Sequence, residues 1–308
     1  MTKELILCSG ELLIDLVPVR SPEGPALLPC PGGAARNSAV ALARLGNQVA
    51  LQAGISEDAF GQRLREDLVA EGVRTDALVT RPGPTALAIA HPRTDGVIYS
   101  FHEEGSAGRG LEAAELQVFP AVLHLFGGIS LVHGPCADAH ETACLRAARS
   151  ALVMVDPNIR PCLVRDEAGY RARLMRMMAE ADIIKLSDED LDWLAPGTDG
   201  RDLIAGLLAG RCRILCLTRG AAGASLHGQD LMLHCPAPQV DVVDTVGAGD
   251  TFNAGLLTSL RENGLLGVDL LDSATADDLL AALQMAVRAA SLSVTRPGAD
   301  PPMRHQLD

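Results

Sequence analysis

The feature that most constrains this chain is a glycine turn at residues 247–249 that leads directly into an acid, Asp250. Apolar β-branched residues at 240–243 predict a strand before the turn, and residues 250–255 predict the start of a helix after it. A helix that begins in this way leaves backbone N–H groups free to bind an anion. An acid at the mouth of such a site is unusual for phosphate binding alone. It suits a site that also takes a proton from a nucleophilic hydroxyl.

The composition favours helices packed on a mostly parallel sheet. The 308 residues could form one large α/β domain, and 48% of them are hydrophobic whereas only 3% are aromatic. The formal charge of −13 argues against nucleic-acid or acidic-membrane partners, because both need a basic surface. A ligand that carries phosphate needs only local positive groups, so it is compatible with this charge.

The cysteines and the apolar runs indicate a cytoplasmic protein. The eight cysteines include no CxxC pair, and we interpret them as free, buried thiols rather than zinc ligands. The first residues lack the apolar core of a signal peptide, and no apolar run approaches the ~20 residues of a membrane span.

From residue 121 onward, strands alternate with helices, which predicts a doubly wound, mostly parallel sheet. Two segments, at about 12–31 and 84–104, interrupt the alternating pattern. The first is extended over 12–18, and its remainder, rich in proline and glycine, predicts a loop or short strands; the second contains a strong hairpin signal at 92–96. We expect them to form a small β-sheet that covers the site as a lid, inserted within one domain of residues 1–308. Strands are predicted from 121 onward at 122–126, 130–132, 152–155, 182–187 and 214–218.

Several of the predicted strands end in polar or glycine-rich exits, and the carboxyl ends of parallel strands meet at one edge of a sheet. Each exit alone could be an ordinary turn, but together they indicate a nucleotide site, with Arg160 and Lys185 supplying positive charge for phosphates. The exits are residues 156–160, 185–187, 218–223 and 244–250.

The first half of the chain carries a second set of candidates. Asp15 lies within an apolar extended segment; it could be an ordinary turn acid, or it could accept hydrogen bonds from sugar hydroxyls at the end of a strand. Gly32 and Gly33 precede an alanine-rich helix that stops at Gly46. They form either a simple turn or a close approach of backbone to ligand, with Asn37 one helical turn further on.

The glycine turn does not fit two common phosphate motifs. No Lys-Ser or Lys-Thr follows Gly249, as a P-loop requires, and Phe252 stands where a dinucleotide fingerprint needs glycine or alanine. A Rossmann dehydrogenase is therefore only a distant alternative.

Residues 244–255 resemble the C-terminal signature of the ribokinase-like (PfkB) carbohydrate kinases, and residues 31–46 resemble the N-terminal glycine signature of that family. Residues 10–18 and 156–161 are most similar to its fructokinase branch. The order and spacing of these segments match from residue 5 to about 300, so the resemblance covers nearly the whole chain.

The resemblance implies ATP-dependent phosphorylation of a sugar hydroxyl, with Mg²⁺ and often a monovalent cation such as K⁺. By motif match, Asp250 would be the general base, and the N–H groups of Gly247, Ala248 and Gly249 would form an anion hole. The other implied roles are sugar binding by Asp15, Gly32, Gly33 and Asn37, a position near the γ-phosphate or the sugar for Arg160, nucleotide contacts by Thr218, Gly220 and Gly223, and support of the cation loop by Asp244.

Departures from the family pattern leave alternatives open. Relatives carry an acid that contacts magnesium-bound water, and here Asp190 is the aligned acid and Glu189 its neighbour. Segment 101–107 lacks an arginine that many fructokinases show there, which leaves the identity of the sugar open. Fructose, phosphorylated at a primary hydroxyl, is the expected substrate. The alternative within the same class of kinase is 2-keto-3-deoxygluconate. Arg36 and Arg93 would bind that acidic sugar. The different-class alternative is a non-catalytic sugar or nucleotide sensor, and exposed lid edges could also form a homodimer.

Overall fold

The computed structural model describes residues 4–22, 24–93 and 96–307, with the backbone alone at 92, 93, 96 and 97. In chain order the strands are β1 (Leu5–Ser9), β2 (Leu13–Ser21), β3 (Gly24–Gly32), β4 (Gln48–Gln52), β5 (Gly54–Ser56), β6 (Val79–Arg81), β7 (Leu87–Arg93), β8 (Gly96–His102), β9 (Leu123–Gly127), β10 (Leu152–Asp156), β11 (Ile183–Ser187), β12 (Ile214–Thr218), β13 (Ala224–His227) and β14 (Met232–Cys235). The α-helices are α1 (Ala34–Arg44), α2 (Ala59–Ala70), α3 (Cys136–Ala147), α4 (Glu167–Ala179), α5 (Asp188–Leu194), α6 (Arg201–Leu208), α7 (Ala248–Glu262), α8 (Val268–Leu271) and α9 (Ala276–Ser293).

The main sheet has the strand order β14-β13-β12-β11-β10-β9-β1-β4. Its strands are parallel from β4 to β12, and β13 and β14 continue it as antiparallel edge strands. Successive side chains of a strand point to opposite faces. In β10, Leu152 and Met154 pack in the core layer that contains α1, α7 and α9, whereas Val153 and Val155 pack against α3 to α6. Helices therefore cover both faces, and the predicted doubly wound sheet is confirmed.

A second, four-stranded sheet has the order β3-β2-β7-β8 and takes residues from both segments predicted for the lid. Its register sets Asp15 beside Ala88, and Ala88 opposite Phe101. The segment between β1 and α1, for which we predicted a loop or short strands over much of its length, is a nine-residue by nine-residue antiparallel hairpin of β2 and β3. We refer to this four-stranded sheet as the lid sheet.

Two strand predictions were wrong. Residues 130 and 131 lie in a short 3₁₀ turn, Ile129–Leu131, that follows Gly128 at φ 79°, and Val132 caps this turn. Residues 240–243 form no strand and pair with none of the described strands. Val242 and Val243 are 62% and 60% exposed, and the N–H of Val243 donates to the carbonyl of Val294 at the end of α9.

Helix α7 is the element that places the glycine turn. It is buried along most of its length between α1 and α9. At Gly255 the helix approaches α9 so closely that a Cβ atom would lie 2.7 Å from the Cα of Ala286. Glycine at this position permits backbone contact between the two helices.

Candidate active site

The glycine turn forms the N-terminus of α7. Gly247 is the N-cap, with a left-handed backbone at φ 75°, and Ala248 is the first helical residue. The N–H of Ala248 donates to the carbonyl of Thr245 across 3.2 Å, so it is already engaged. N–H groups of a first helical turn have no partner within the helix and carry the positive end of the helix dipole. The turn therefore has the electrostatics of an anion site.

Asp250 lies in this first turn and is 6% exposed. Its carboxylate accepts hydrogen bonds from the Asn37 amide at 3.2 Å and from the Ser38 hydroxyl at 3.3 Å, both on α1. Burial, reinforced by the negative charge of Asp156, raises the pKa of Asp250 to about 7. The hydrogen bond from Asn37 lowers this pKa by less than the Asp156 charge raises it. A carboxylate with this pKa can accept a proton near neutral pH.

Lys185 lies behind the glycine turn rather than in open solvent. Its ammonium donates to Asp156 across 3.2 Å, and a Cβ atom at Gly249 would lie 3.1 Å from its Nζ. Lys185 is 4% exposed. Burial disfavours its charge, but Asp156 and Asp190 outweigh burial and raise the pKa of the amine. The buried ammonium therefore adds positive charge beneath the start of α7.

The four residues predicted to hold a sugar converge between the lid sheet and α1. A Cβ atom at Gly32 would lie 2.0 Å from the Asp15 carboxylate, and Gly33 has φ 103° with the Glu11 carbonyl 2.7 Å from a Cβ position. Burial raises the pKa of Asp15 to about 6. Asn37 is buried on the same side and contacts Asp250. The glycines thus allow a close approach of Asp15 and the backbone.

Thr218, Gly220 and Gly223 lie together at the exit of β12. Gly220 and Gly223 have φ of 48° and 88°, and a Cβ atom at Gly223 would lie 2.2 Å from the carbonyl of Cys235. The Thr218 hydroxyl donates to the carbonyl of Leu186 at 3.4 Å. The exit is thus a tight turn beside β11 and β14.

The neighbouring acids Glu189 and Asp190 have different surroundings: Asp190 binds backbone N–H groups, whereas Glu189 is exposed. One oxygen of Asp190 accepts from the N–H of Ile159 at 2.8 Å and the other from the N–H of Ser187 at 2.9 Å. Asp190 is buried, whereas Glu189 is exposed. Asp190 thereby fixes the loop that carries Arg160, whose side chain is exposed. Of the two acids, Glu189 is the one free to meet solvent or a ligand.

Asp244 joins two loops at the edge of the site. One carboxylate oxygen accepts from the N–H of Val246 at 3.0 Å and the other from the N–H of Gly298 at 2.9 Å. The backbone N–H of Asp244 donates to the carbonyl of Val294. The loop before the glycine turn is therefore fastened to the segment after α9.

These features match one known family along nearly the whole chain. The sequence profile of the pfkB family carbohydrate kinases matches residues 3–306. The chain belongs to the pfkB family of carbohydrate kinases.

This pfkB kinase is 41% identical over 266 residues to a fructokinase from Rhizobium leguminosarum bv. trifolii, covering 85% of this chain and 81% of the relative. It matches the structure of fructokinase with bound ATP from Xylella fastidiosa with a TM-score of 0.89 and 30% identity, over 99% of this chain and 98% of that one. It also matches a double-mutant fructokinase from Vibrio cholerae O395, in its fructose-, ADP- and potassium-bound form, with a TM-score of 0.84 and 26% identity over 96% and 94% of the two chains. The predicted family and ribokinase-like fold are confirmed.

Sequence reasoning missed four polar residues of this kinase's site. Ser38 contacts Asp250, and Asn253 donates to Asp156 across 2.7 Å. Glu11 accepts from the N–H groups at the start of α1 and at Ser130. Asp156 was recognised only as part of a strand exit. The position of Asn253 one helical turn after Asp250 was the available signal for that residue.

The basic residues considered for an acidic sugar have different outcomes. Arg36 is 5% exposed, and its guanidinium forms an ion pair with Asp67 at 2.6 Å and donates to the Asn37 side chain at 3.2 Å. Its charge is thus already neutralised. The side chain of Arg93 lies outside the described residues.

Two cavities border this region of the kinase. The larger, about 550 Å³, opens beside β8 and contains none of the predicted site residues. Tyr99 forms part of its wall. Burial raises the pKa of Tyr99 to about 12, and the charges of Asp15 and Asp244 act in the same direction. The smaller, about 10 Å³, lies against Asp250 and Asp156.

Two expectations concern the whole chain. All eight cysteines are free, and five of them are buried, whereas Cys30 and Cys235 are half-buried and Cys162 is exposed. Within the described residues, no helix combines the length and the apolar character needed to cross a membrane.

Proposed function

We propose that this kinase is an ATP-dependent fructokinase that phosphorylates a primary hydroxyl of fructose, with Asp250 as the general base. The observation that carries the proposal is the buried Asp250 carboxylate in the first turn of α7, directly after Gly247 and Gly249 and in contact with Asn37. The fructokinase relatives support the substrate. A sensor without activity would not need a base with a pKa near 7 at this position.

In the proposed reaction, the acceptor oxygen bonds to the γ-phosphorus while the bond to the β–γ bridging oxygen breaks, and ADP leaves with that electron pair. The hydroxyl proton moves to Asp250. Phosphoryl transfer depends mainly on positioning and charge neutralisation. N–H groups of Gly247 and Gly249, and the buried Lys185 behind them, would stabilise charge on the transferred group.

The proposed sugar contacts come from both sides of the site. The Asp15 carboxylate and the Asn37 amide would bind hydroxyl groups, and Gly32 and Gly33 would let the backbone approach the sugar. Because Arg36 is paired with Asp67, an acidic sugar would lack one of its two candidate partners. This favours fructose over 2-keto-3-deoxygluconate.

The proposed nucleotide contacts lie on the β12 exit, at Thr218, Gly220 and Gly223, with Arg160 near the γ-phosphate. The described residues contain no cluster of three or more His, Cys, Asp or Glu side chains able to hold a metal. This fits Mg²⁺ carried mainly by ATP phosphates and water, with Glu189 as the exposed protein carboxylate. Bound Mg²⁺ would neutralise charge on the phosphate oxygens.

We also propose a monovalent cation site, K⁺ being the candidate, between the loops that Asp244 fastens together. The support is the double hydrogen bond of Asp244 to Val246 and Gly298 and the potassium ion bound in the Vibrio cholerae relative. Asp244 would act by holding the loop backbone in place, since both of its oxygens accept N–H groups.

We propose further that residues 1–308 form one kinase domain with the lid sheet inserted. We also propose that the protein is cytoplasmic, because its cysteines are free thiols.

A last proposal is that the protein forms a homodimer through the lid sheet. Val17 and Leu28 are paired across β2 and β3 and are 36% and 49% exposed, and Val19, two residues along β2 on the same face, is 38% exposed. Such an apolar patch on an antiparallel hairpin suits a second copy. Leu28→Asp should convert a dimer to a monomer in sedimentation analysis, and a monomeric parent protein would contradict the proposal.

The kinase proposal is tested by incubating the protein with Mg-ATP and a panel of hexoses, pentoses and sugar acids, and measuring ADP release. We expect fructose to give the highest kcat/KM. ADP release that never exceeds the sugar-free rate would favour the sensor, and a preference for a sugar acid would favour the same-class alternative.

A further inference from the structure

Asp156 is a buried acid to which the proposed reaction gives no task. It ends β10, is 4% exposed, and accepts from the Lys185 ammonium on one oxygen and from the Asn253 amide on the other. Burial raises the pKa of Asp156, whereas the Lys185 charge and the hydrogen bonds from Lys185 and Asn253 favour its carboxylate form. A structural ion pair alone could explain Lys185, but it would not explain why both groups face the first turn of α7.

A small cavity separates Asp156 from Asp250. Its volume of about 10 Å³ is close to that of one water molecule by the probe-sphere measure. Asn253 lines it, and the Oδ1 atom of this amide is buried without a hydrogen-bond partner among the described residues. Ser9 and Ser38 also line it. A water here would have a buried acceptor to satisfy and two carboxylates within its walls.

Charged and titratable groups reach Asp250 from several elements. The Asp156 charge is the largest influence on the pKa of Asp250 after burial, and it acts in the same direction. Lys185 acts in the opposite direction. The groups that face Asp250 are Asp156 on β10, Lys185 on β11, Glu11 after β1 and the Cys8 thiol on β1, and Asp190 on α5 faces the Asp156–Lys185 pair.

We propose that Asp156 is a positioning residue that acts through Asp250: the two acids share the buried cavity, and a water held there connects them. This water donates its two hydrogens to Asn253 Oδ1 and to Asp156, and it accepts a hydrogen bond from Asp250 once Asp250 has taken the hydroxyl proton. The proposal rests on the proposed role of Asp250 as base. The negative charge of Asp156 favours arrival of the hydroxyl proton on Asp250, and Lys185 keeps Asp156 ionised. The proton moves from the acceptor oxygen to Asp250 without any redox change, and it leaves to solvent after product release.

The test is the pH dependence of kcat/KM for fructose, measured on the full chain at saturating Mg-ATP. Its acidic limb is the pH range in which kcat/KM falls because the base becomes protonated. Asp156→Asn should move this limb to lower pH by about one unit, since loss of the negative charge makes Asp250 harder to protonate. The double variant Asp156→Asn/Lys185→Gln should return the limb toward that of the parent, because the unpaired ammonium is removed as well. Titration of Mg-ATP is common to all variants and does not affect the differences.

A matched control is Asp182→Asn. Asp182 is also fully buried, and it pairs with Arg211 and Arg213 just before β11, away from Asp250. This control should lose stability while its acidic limb stays where the parent has it. A limb that is unmoved in Asp156→Asn, or that moves equally in the control, would overturn the proposal.

Two further measurements keep the inference separate from the proposed function. Asp250→Asn with most activity retained would remove the base and this inference together, whereas an inactive Asp250→Asn beside an unmoved Asp156→Asn limb would remove only the inference. A high-resolution crystal structure of the parent needs no variant to fold. An ordered water within hydrogen-bond distance of Asn253 Oδ1 and both carboxylates is expected, and a dry cavity would overturn the shared-water connection.

Discussion

The side-chain amide of Asn37 donates to the carboxylate of Asp250 across 3.2 Å, although the two residues are 213 positions apart in the chain. Asn37 follows the paired glycines of the first half, and Asp250 follows the glycine turn of the second half. The hydrogen bond therefore joins the proposed sugar contacts to the proposed base. A sugar bound by Asn37 would present its hydroxyl next to the group that takes the proton.

Replacing the proposed base should separate chemistry from binding. In Asp250→Asn, we expect kcat to fall on the order of 10²- to 10⁴-fold, because the amide cannot accept the hydroxyl proton. The dissociation constant for ATP, measured by calorimetry, should change less than about threefold. Asp241→Asn, at an exposed acid on the approach to the same turn, is the matched control and should keep parental kinetics. Turnover of Asp250→Asn close to the parental value would remove Asp250 as the base.

The same substitution should stabilise the protein in alkaline solution. The pKa of Asp250 is about 7 in the folded protein against an ordinary value of 3.8, so the folded state holds the proton more tightly than the unfolded state. The corresponding stability is present below pH ~4 and is lost as the pH rises through 7. We expect Asp250→Asn to exceed the parent in free energy of unfolding by on the order of 2 kcal/mol at pH 8, and by much less at pH 4.5. Urea titrations at both pH values measure this, and an equal difference at the two would contradict it.

Adding one methyl group at Gly32 should affect the sugar more than the fold. The new Cβ would overlap the Asp15 carboxylate, which lies 2.0 Å away, and this flexible side chain can rotate aside. We expect Gly32→Ala to raise the KM for fructose by on the order of tenfold, with the KM for ATP unchanged. Gly206→Ala, in a helix with open space around it, is the control and should only gain about 0.5 to 1 kcal/mol of stability. An unchanged KM for fructose in Gly32→Ala would remove Asp15 from the sugar site.

Loss of the Asp244 carboxylate should loosen the proposed cation loop. Asp244→Ala leaves the N–H groups of Val246 and Gly298 without their acceptor. If K⁺ activates the parent enzyme, the variant should need at least about tenfold more K⁺ for half-maximal activity, since the loop backbone is no longer held. Titration of activity with KCl at constant ionic strength measures this. The same K⁺ dependence in both proteins would exclude Asp244 from the cation site.

Much of the site could be predicted because its residues lie in local patterns. Gly33 and Gly247 have positive φ, and glycine runs before helices indicate such turns directly. Lys185 was predicted to supply positive charge for phosphates, but its ion-pair partner Asp156 is 29 residues away and was not predicted. That pairing depends on the parallel register that sets Val155 beside Ile184. Spacing within a single segment contains no information about this register.

The wrong strand prediction at 240–243 also comes from contacts between segments that are distant in the chain. Residues 240–243 have strand composition, but a strand also requires a partner strand, and here the carbonyl of Val294, directly after α9, accepts the N–H of Val243. Asp190 was aligned as a metal-water contact from its position alone. One of its backbone hydrogen bonds comes from Ser187, the residue before α5, and the other from Ile159. The second could be seen only after the loop from β10 had been placed beside it.

At Gly255 no side chain separates α7 from the backbone of Ala286 on α9, so we expect the two helices to move together. Helices separated by side chains can slide by rotamer changes, whereas helices in contact at Cα have no such layer to deform. A shift anywhere along α9 is therefore transmitted to the turn at Gly247, where an error of a fraction of an ångström would misalign the phosphoryl group. Substitutions on the C-terminal helix, far from either reactant, should consequently change turnover before they change affinity.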